Sequence, residues 1–121
     1  MQTARRVLVV EDNVDSALSM KMLLEMFGHT VECAIDGYAA LDLAPRWRPD
    51  VVFVDIGLPG IDGIEVCRRL KMQPELHKAR IFALTAYDND EWRRRGLEVG
   101  FEQYFLKPLS APFIERLLTT R

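Results

Sequence analysis

Val51-Val52-Phe53-Val54-Asp55 runs directly into Ile56-Gly57-Leu58-Pro59-Gly60-Ile61-Asp62-Gly63. Unbroken apolar residues, β-branched or aromatic, suit a strand covered on both faces, which is how the strands of a parallel sheet read. The charge that ends the run and the Gly/Pro cluster behind it mark the chain leaving the sheet. Two other runs share the pattern: Val7-Leu8-Val9-Val10, ending in Glu11-Asp12, and Ile81-Phe82-Ala83-Leu84, ending in Thr85. Thr30-Val31-Glu32-Cys33-Ala34 and Gln103-Tyr104-Phe105-Leu106 are more mixed, as strands at a sheet edge are.

Helical stretches lie between these runs. Val14 to Phe27 ends at Gly28, a natural C-cap. Gly37 to Ala44 follows Asp36 as N-cap and is expected to stop near Pro45. Gly63 to about Met72 has Asp62 as N-cap and Glu65 three positions on, a capping-box spacing. Asp88 with Glu91 repeats that device before a helix carrying Trp92 to Val99, and Ser110 caps a last helix with Pro112 in its first turn. The alternation is (βα)5. Right-handed crossovers in one sheet put helices on both faces. Three apolar strands flanked by two mixed ones fit the order 2-1-3-4-5, a flavodoxin-like α/β fold whose switch point lies between the first and third strands.

The bulk properties agree. The 121 residues suffice for one domain, read here as 1–121 with its core at about 6–118 and no effector domain. A composition 49% hydrophobic and 28% charged is that of a globular chain. Sixteen basic against eighteen acidic residues, a formal charge of −2, leave no electrostatic footprint for nucleic acid or for an anionic membrane surface. No apolar run is long enough for membrane insertion, and residues 1–30 lack a signal-peptide core. Cys33 and Cys67, far apart and without metal-ligand spacing, read as two buried, reduced thiols in a cytoplasmic protein.

In an open parallel sheet the site lies beyond the carboxyl ends of the strands, at the switch point. The residues at those ends are Glu11-Asp12, Asp55, Thr85 and Lys107-Pro108. Each alone has an ordinary explanation as cap, turn or solvated charge. Together they make a costly cluster if left empty, because like charges repel and raise one another's pKa. A hard divalent cation such as Mg²⁺ relieves that cost. Glu11, Asp12 and Asp55 contribute −3, and Mg²⁺ with Lys107 contributes +3. Such a pocket suits phosphoryl transfer to a carboxylate, which depends on positioning and electrostatics. Asp55, on the central strand opposite the acidic pair, is the better nucleophile, with Lys107 and the Thr85 hydroxyl available to bind the phosphoryl group.

The chain resembles a receiver domain of bacterial two-component phosphorelay signalling, the module of response regulators and hybrid histidine kinases. The resemblance spans about Arg6 to Leu118. It is carried by Val9-Val10-Glu11-Asp12-Asn13, by Asp55 to Gly63, by Leu84-Thr85-Ala86 and by Tyr104-Phe105-Leu106-Lys107-Pro108. It implies that Asp55 is phosphorylated by a histidine kinase or a histidine phosphotransfer domain. Asp12, Asp55 and the Gly57 carbonyl would bind Mg²⁺ directly, with Mn²⁺ as a substitute, and Glu11 would hold it through water. Thr85 and Lys107 would bind phosphoryl oxygens, small Ala86 would leave them room, and the Lys107-Pro108 bond would be cis. Thr85 and Tyr104 fall on the family's switch pair, which remodels the face of the fourth helix, fifth strand and fifth helix for a downstream partner, an attached domain or a phosphorylation-dependent dimer. The first-helix surface and the Pro108-Leu109 loop would dock the phosphodonor. Gly57 and Tyr87 stand where some relatives carry side chains that assist hydrolysis, so slow self-dephosphorylation is expected.

Other signals weigh less. Arg93-Arg94-Arg95 has acidic neighbours and no interleaved aromatics, and reads as a solvated face rather than a DNA contact. Met20, Met22 and Met26 read as core and near-surface packing, and His29 and His77 as surface residues. Trp92 is open between core and partner surface, and Gly96 between a softened helix and tight packing. Three rival functions remain. A haloacid-dehalogenase-type phosphatase carries a second aspartate two residues after its nucleophile, where this chain has Gly57. A flavin or dinucleotide binder needs a phosphate-accepting loop where this chain has Glu11-Asp12-Asn13. A receiver that is never phosphorylated would leave all five strand-end positions idle. The reading is a self-modifying phosphoacceptor rather than a multiple-turnover enzyme.

Overall fold

The computed structural model describes residues 4–86 and 89–119. Its five parallel strands are β1 (Arg6–Val10), β2 (Thr30–Ala34), β3 (Val51–Asp55), β4 (Arg80–Thr85) and β5 (Gln103–Leu106), in the order β2-β1-β3-β4-β5. The helices are α1 (Val14–Met26), α2 (Gly37–Trp47), α3 (Gly63–Lys71), α4 (Asp90–Val99) and α5 (Ala111–Thr119), with a short 3-10 turn at Pro74–Leu76. Alternation along each strand divides the interior into two cores. Val7, Val9, Phe53, Phe82 and Leu84 face α1 and α5, while Leu8, Val10, Val52, Val54 and Ile81 face α2, α3 and α4. A strand with both faces covered has no polar positions, which is why β1, β3 and β4 read as continuous apolar runs.

Register fixes the site. Val10 pairs with Val54, Asp55 with Leu84, and Thr85 with Leu106. Glu11, Asp55, Thr85 and Lys107 therefore emerge along one edge of the sheet, and backbone bonds from Glu11 N to Ala34 O (3.0 Å) and from Lys107 N to Thr85 O (2.8 Å) extend the ladder to that edge.

Several details differ from the sequence expectations. Helix α2 does not stop near Pro45 but continues to Trp47, closing at Arg48 in a left-handed conformation, φ 57°. A proline there leaves the carbonyl of Leu41 without its helical donor. The Gln73 side chain supplies one, its Nε2 donating to Leu41 O at 3.3 Å. Helix α4 is capped by Asn89, whose Oδ1 accepts from Trp92 N at 3.0 Å; Asp88, expected as the cap, lies outside the described residues, as does Tyr87. His29 is not a surface residue. It is 4% exposed, its Nδ1 accepting the Arg5 N–H at 3.1 Å. Met22 and Met26, read as packing residues, are 64% and 79% exposed, and only Met20 packs on the core. With Val14 and Leu18 they form an apolar row at four-residue spacing along the outer side of α1. Gly96 is explained by packing, since a Cβ there would lie 3.1 Å from the Phe101 ring. Trp92 packs partly against the core, and both cysteines are free, Cys67 buried as expected but Cys33 only partly so.

Candidate functional site

Glu11 leaves β1 at the switch point and is 5% exposed, its Oε2 accepting the Asn13 N–H at 3.1 Å. Asn13, not Asp12, caps α1, its side chain accepting from Ser16 N at 2.9 Å. The neighbouring Asp12 is exposed and has no capping duty. Asp55 ends β3. Its Oδ1 accepts the Gly57 N–H at 2.9 Å, which fixes the carboxylate against its own loop, and its Oδ2 accepts Lys107 Nζ at 3.1 Å. Lys107 also bonds Glu11 Oε1. One carboxylate oxygen from each of Glu11, Asp12 and Asp55 lies within 4.8 Å of the others.

Charge and burial work against each other here. Burial pushes the Glu11 carboxyl above its ordinary value; the Lys107 ammonium and the Asn13 N–H pull it down, and the Asp55 charge pushes it further up. For Lys107, burial pulls the ammonium down, but its bonds to Glu11 and Asp55 outweigh this and leave its pKa raised. One lysine thus answers two of three clustered carboxylates. A small hard cation fits this donor set, which is all oxygen and carries excess negative charge.

Thr85 is buried at the end of β4, and Ala86 and Gly57 are exposed beside it. Tyr104 on β5 is 6% exposed, with the Arg93 guanidinium 4.8 Å from its ring centroid. Gly57, Thr85 and Tyr104 line a cavity of about 330 Å³ with Asn89 and Trp92. A second groove, about 450 Å³, runs between α1 and the Lys107–Leu109 segment, reaching Glu11. Every proposed strand-end residue is therefore drawn to one edge, and the Lys107-Pro108 peptide is cis. Trp92, Asn89 and Arg93 were not foreseen as neighbours of the site. They come from α4 and its cap, and nothing in their spacing points at a strand end.

Fold and site together define a doubly wound α/β protein with an acidic, cation-compatible pocket at its switch point. Residues 7–119 match the response regulator receiver domain, and the chain belongs to that family, the receiver modules of two-component signalling. Solved structures agree. The chemotaxis protein CheY4 of Vibrio cholerae is 28% identical, with 96% of this chain and 97% of that one covered at a TM-score of 0.89. The receiver domain of the sensor histidine kinase PA1611 of Pseudomonas aeruginosa, which has a magnesium ion coordinated in its active-site cleft, is 30% identical, covering 96% and 95% at 0.86. The receiver domain of a modulated diguanylate cyclase of Desulfovibrio desulfuricans is 33% identical, covering 94% and 90% at 0.83. No helix among the described residues is long and apolar enough to cross a membrane.

Proposed function

We propose that Asp55 accepts a phosphoryl group from a phosphohistidine of a histidine kinase or histidine phosphotransfer domain, and that the chain acts as one receiver unit with its core at about 6–118. The observation that carries this reading is the convergence of Glu11, Asp12 and Asp55 around Lys107. Asp12, Asp55 and the Gly57 carbonyl would hold Mg²⁺, or Mn²⁺ in its place, and Glu11 would act through water. The bound ion supplies positive charge for the transferring oxygens. The chain's residues do the rest. The Gly57 N–H holds the Asp55 carboxylate in a single orientation, which lowers the entropy cost of attack on phosphorus. Lys107 passes from carboxylate to phosphoryl oxygens, Thr85 adds its hydroxyl, and Ala86 leaves space.

The apolar row Val14-Leu18-Met22-Met26 begins beside Asp12 and, with Pro108-Leu109, suits docking of the donor. Phosphorylation acts on Thr85 and Tyr104 and through them on the α4-β5-α5 face, which engages a downstream partner, an attached domain or a second copy. Turnover on outside substrates is not part of this reading, because Gly57 offers no acid two residues beyond Asp55. Gly57 and Tyr87 also stand where some relatives carry side chains that assist hydrolysis, so the acyl phosphate is long-lived. Incubation with acetyl phosphate and Mg²⁺, followed by intact-mass measurement, tests this. Wild type gains the mass of one phosphoryl group and Asp55→Asn gains none. No gain in wild type would sink the proposal, and sustained phosphate release over many cycles would favour a phosphatase.

A further inference from the structure

Gly57 has no conformational need to be glycine. Positive φ values occur at Gly28, Gly60 and Gly100, not here, and a Cβ built on Gly57 would meet only Asp55 Oδ1, at 3.7 Å. Its missing side chain relieves no clash, although glycine carries an entropy cost relative to alanine. What it leaves is space beside the Asp55 carboxylate. Gly57 also lines the 330 Å³ cavity bounded by Thr85, Asn89, Trp92 and Tyr104, a volume large enough for a small ring. Two of those walls are aromatic. Arg93 lies over the Tyr104 ring. Trp92 is the other, partly buried and carried on the first turn of α4, where its backbone N–H donates to Asn89 Oδ1.

We infer that this cavity receives the leaving ring of the phosphodonor, and that Trp92 makes it selective for a donor whose planar ring is cationic before transfer over one that carries a small carboxylate. The inference rests on the reading of Asp55 as phosphoacceptor. In the transfer, an Asp55 carboxylate oxygen forms the new P–O bond as the P–N bond breaks. The bonding pair goes to the ring nitrogen. A phosphoimidazole that enters protonated on its other nitrogen leaves as neutral imidazole, and the protein supplies no proton. An indole face attracts such a cation, whereas the acetate released by acetyl phosphate has neither ring nor positive charge. Trp92 is thus a specificity-determining residue contributed by an element that carries none of the acid cluster.

The experiment compares second-order rate constants for Asp55 labelling by monophosphoimidazole and by acetyl phosphate at fixed Mg²⁺, read by intact mass over time. The ratio of the two falls about fivefold in Trp92→Ala and stays within about twofold of wild type in Trp92→Phe, the scale of one lost cation–ring contact. Gly57→Val, which fills the space beside Asp55 and leaves the Trp92 side chain in place, lowers the same ratio. Ratios unchanged in Trp92→Ala and Gly57→Val would overturn the inference while leaving the phosphoacceptor reading intact. Absence of label from both donors in wild type would instead overturn the phosphoacceptor reading, and the inference with it.

Discussion

Asp12 is the exposed member of the acid cluster and, among the described residues, has no ion-pair partner, since Lys107 bonds Glu11 and Asp55. At the 4.8 Å limit of the cluster, two unit charges repel by about 3.5 kcal/mol at an effective dielectric of 20 and by about 0.9 kcal/mol in water. Exposure places Asp12 near the lower figure, and it faces two carboxylates. Attraction to Lys107 and to the N-terminus of α1 offsets part of this, leaving about 1 kcal/mol of net strain. Asp12→Ala is therefore more stable than wild type by about 1 kcal/mol when metal is withheld. Wild type recovers with Mg²⁺, because an ion at ten times its dissociation constant stabilises by about 1.4 kcal/mol. The variant lacks one of the proposed ligands and is expected to gain much less. Urea unfolding followed by far-UV circular dichroism, in EDTA and in MgCl2, reads both effects, and the order of the two proteins closes or reverses on adding metal. A variant less stable than wild type in EDTA, or an equal Mg²⁺ shift in both, would refute the reasoning.

Other outcomes follow from single observations. Gln73→Ala orphans the Leu41 carbonyl and costs about 1 kcal/mol, but in a Pro45→Ala background the new Ala-type N–H serves that carbonyl and the cost largely vanishes; equal urea-unfolding costs in both backgrounds would contradict this. Burial, then the Arg5 charge, hold the His29 imidazole below its ordinary 6.5. As pH falls below 6.5 the unfolded chain takes up that proton first, so this group's contribution to stability is lost through the folded value. His29→Leu flattens that limb relative to wild type in urea titrations from pH 8 to 5. The comparison must be with wild type, because the raised Glu11 acts in the opposite sense. Gly63→Ala drives a Cβ to 2.5 Å from the Asp55 carbonyl oxygen and 2.7 Å from Ile56 Cα, both backbone, and costs about 3 kcal/mol in thermal or urea unfolding; a stability within error of wild type would show the backbone can move aside.

What was legible in the sequence was what depends on local chemistry. The runs ending at Val10, Val54 and Leu84 announce their own burial, and in a parallel sheet the next residue is at the site, so Glu11, Asp55 and Thr85 could be named from position alone. What was illegible depends on a distant partner. Pro45 breaks the helical bond to Leu41 in any sequence reading, and only the fold brings Gln73 to repair it. His29 has no apolar pattern around it, yet the Arg5 backbone closes over its ring. The exposure of Met22 and Met26 follows from α1 turning its Ala17-Leu24 side to the sheet, and methionine suits either environment.

The placement of Lys107 bears on how a change at Asp55 would travel. The acids stand at the ends of β1 and β3, strands held in register by the Val10–Val54 pairing. Lys107 directly follows β5, at the sheet's edge, yet its ammonium bonds acids at the ends of β1 and β3. It spans β4 to do so. On the proposed chemistry, a phosphoryl group on Asp55 competes for that ammonium and for the Thr85 hydroxyl at once. The first acts on the strand that carries Tyr104, three residues before Lys107, and the second on a wall of the cavity beside that ring. Arg93, lying over the same ring, connects both to α4. A lysine that merely neutralised charge could sit on any neighbouring loop. On that reading, one that follows β5 would make the charge balance of the pocket a restraint on the face that carries Tyr104 and Arg93.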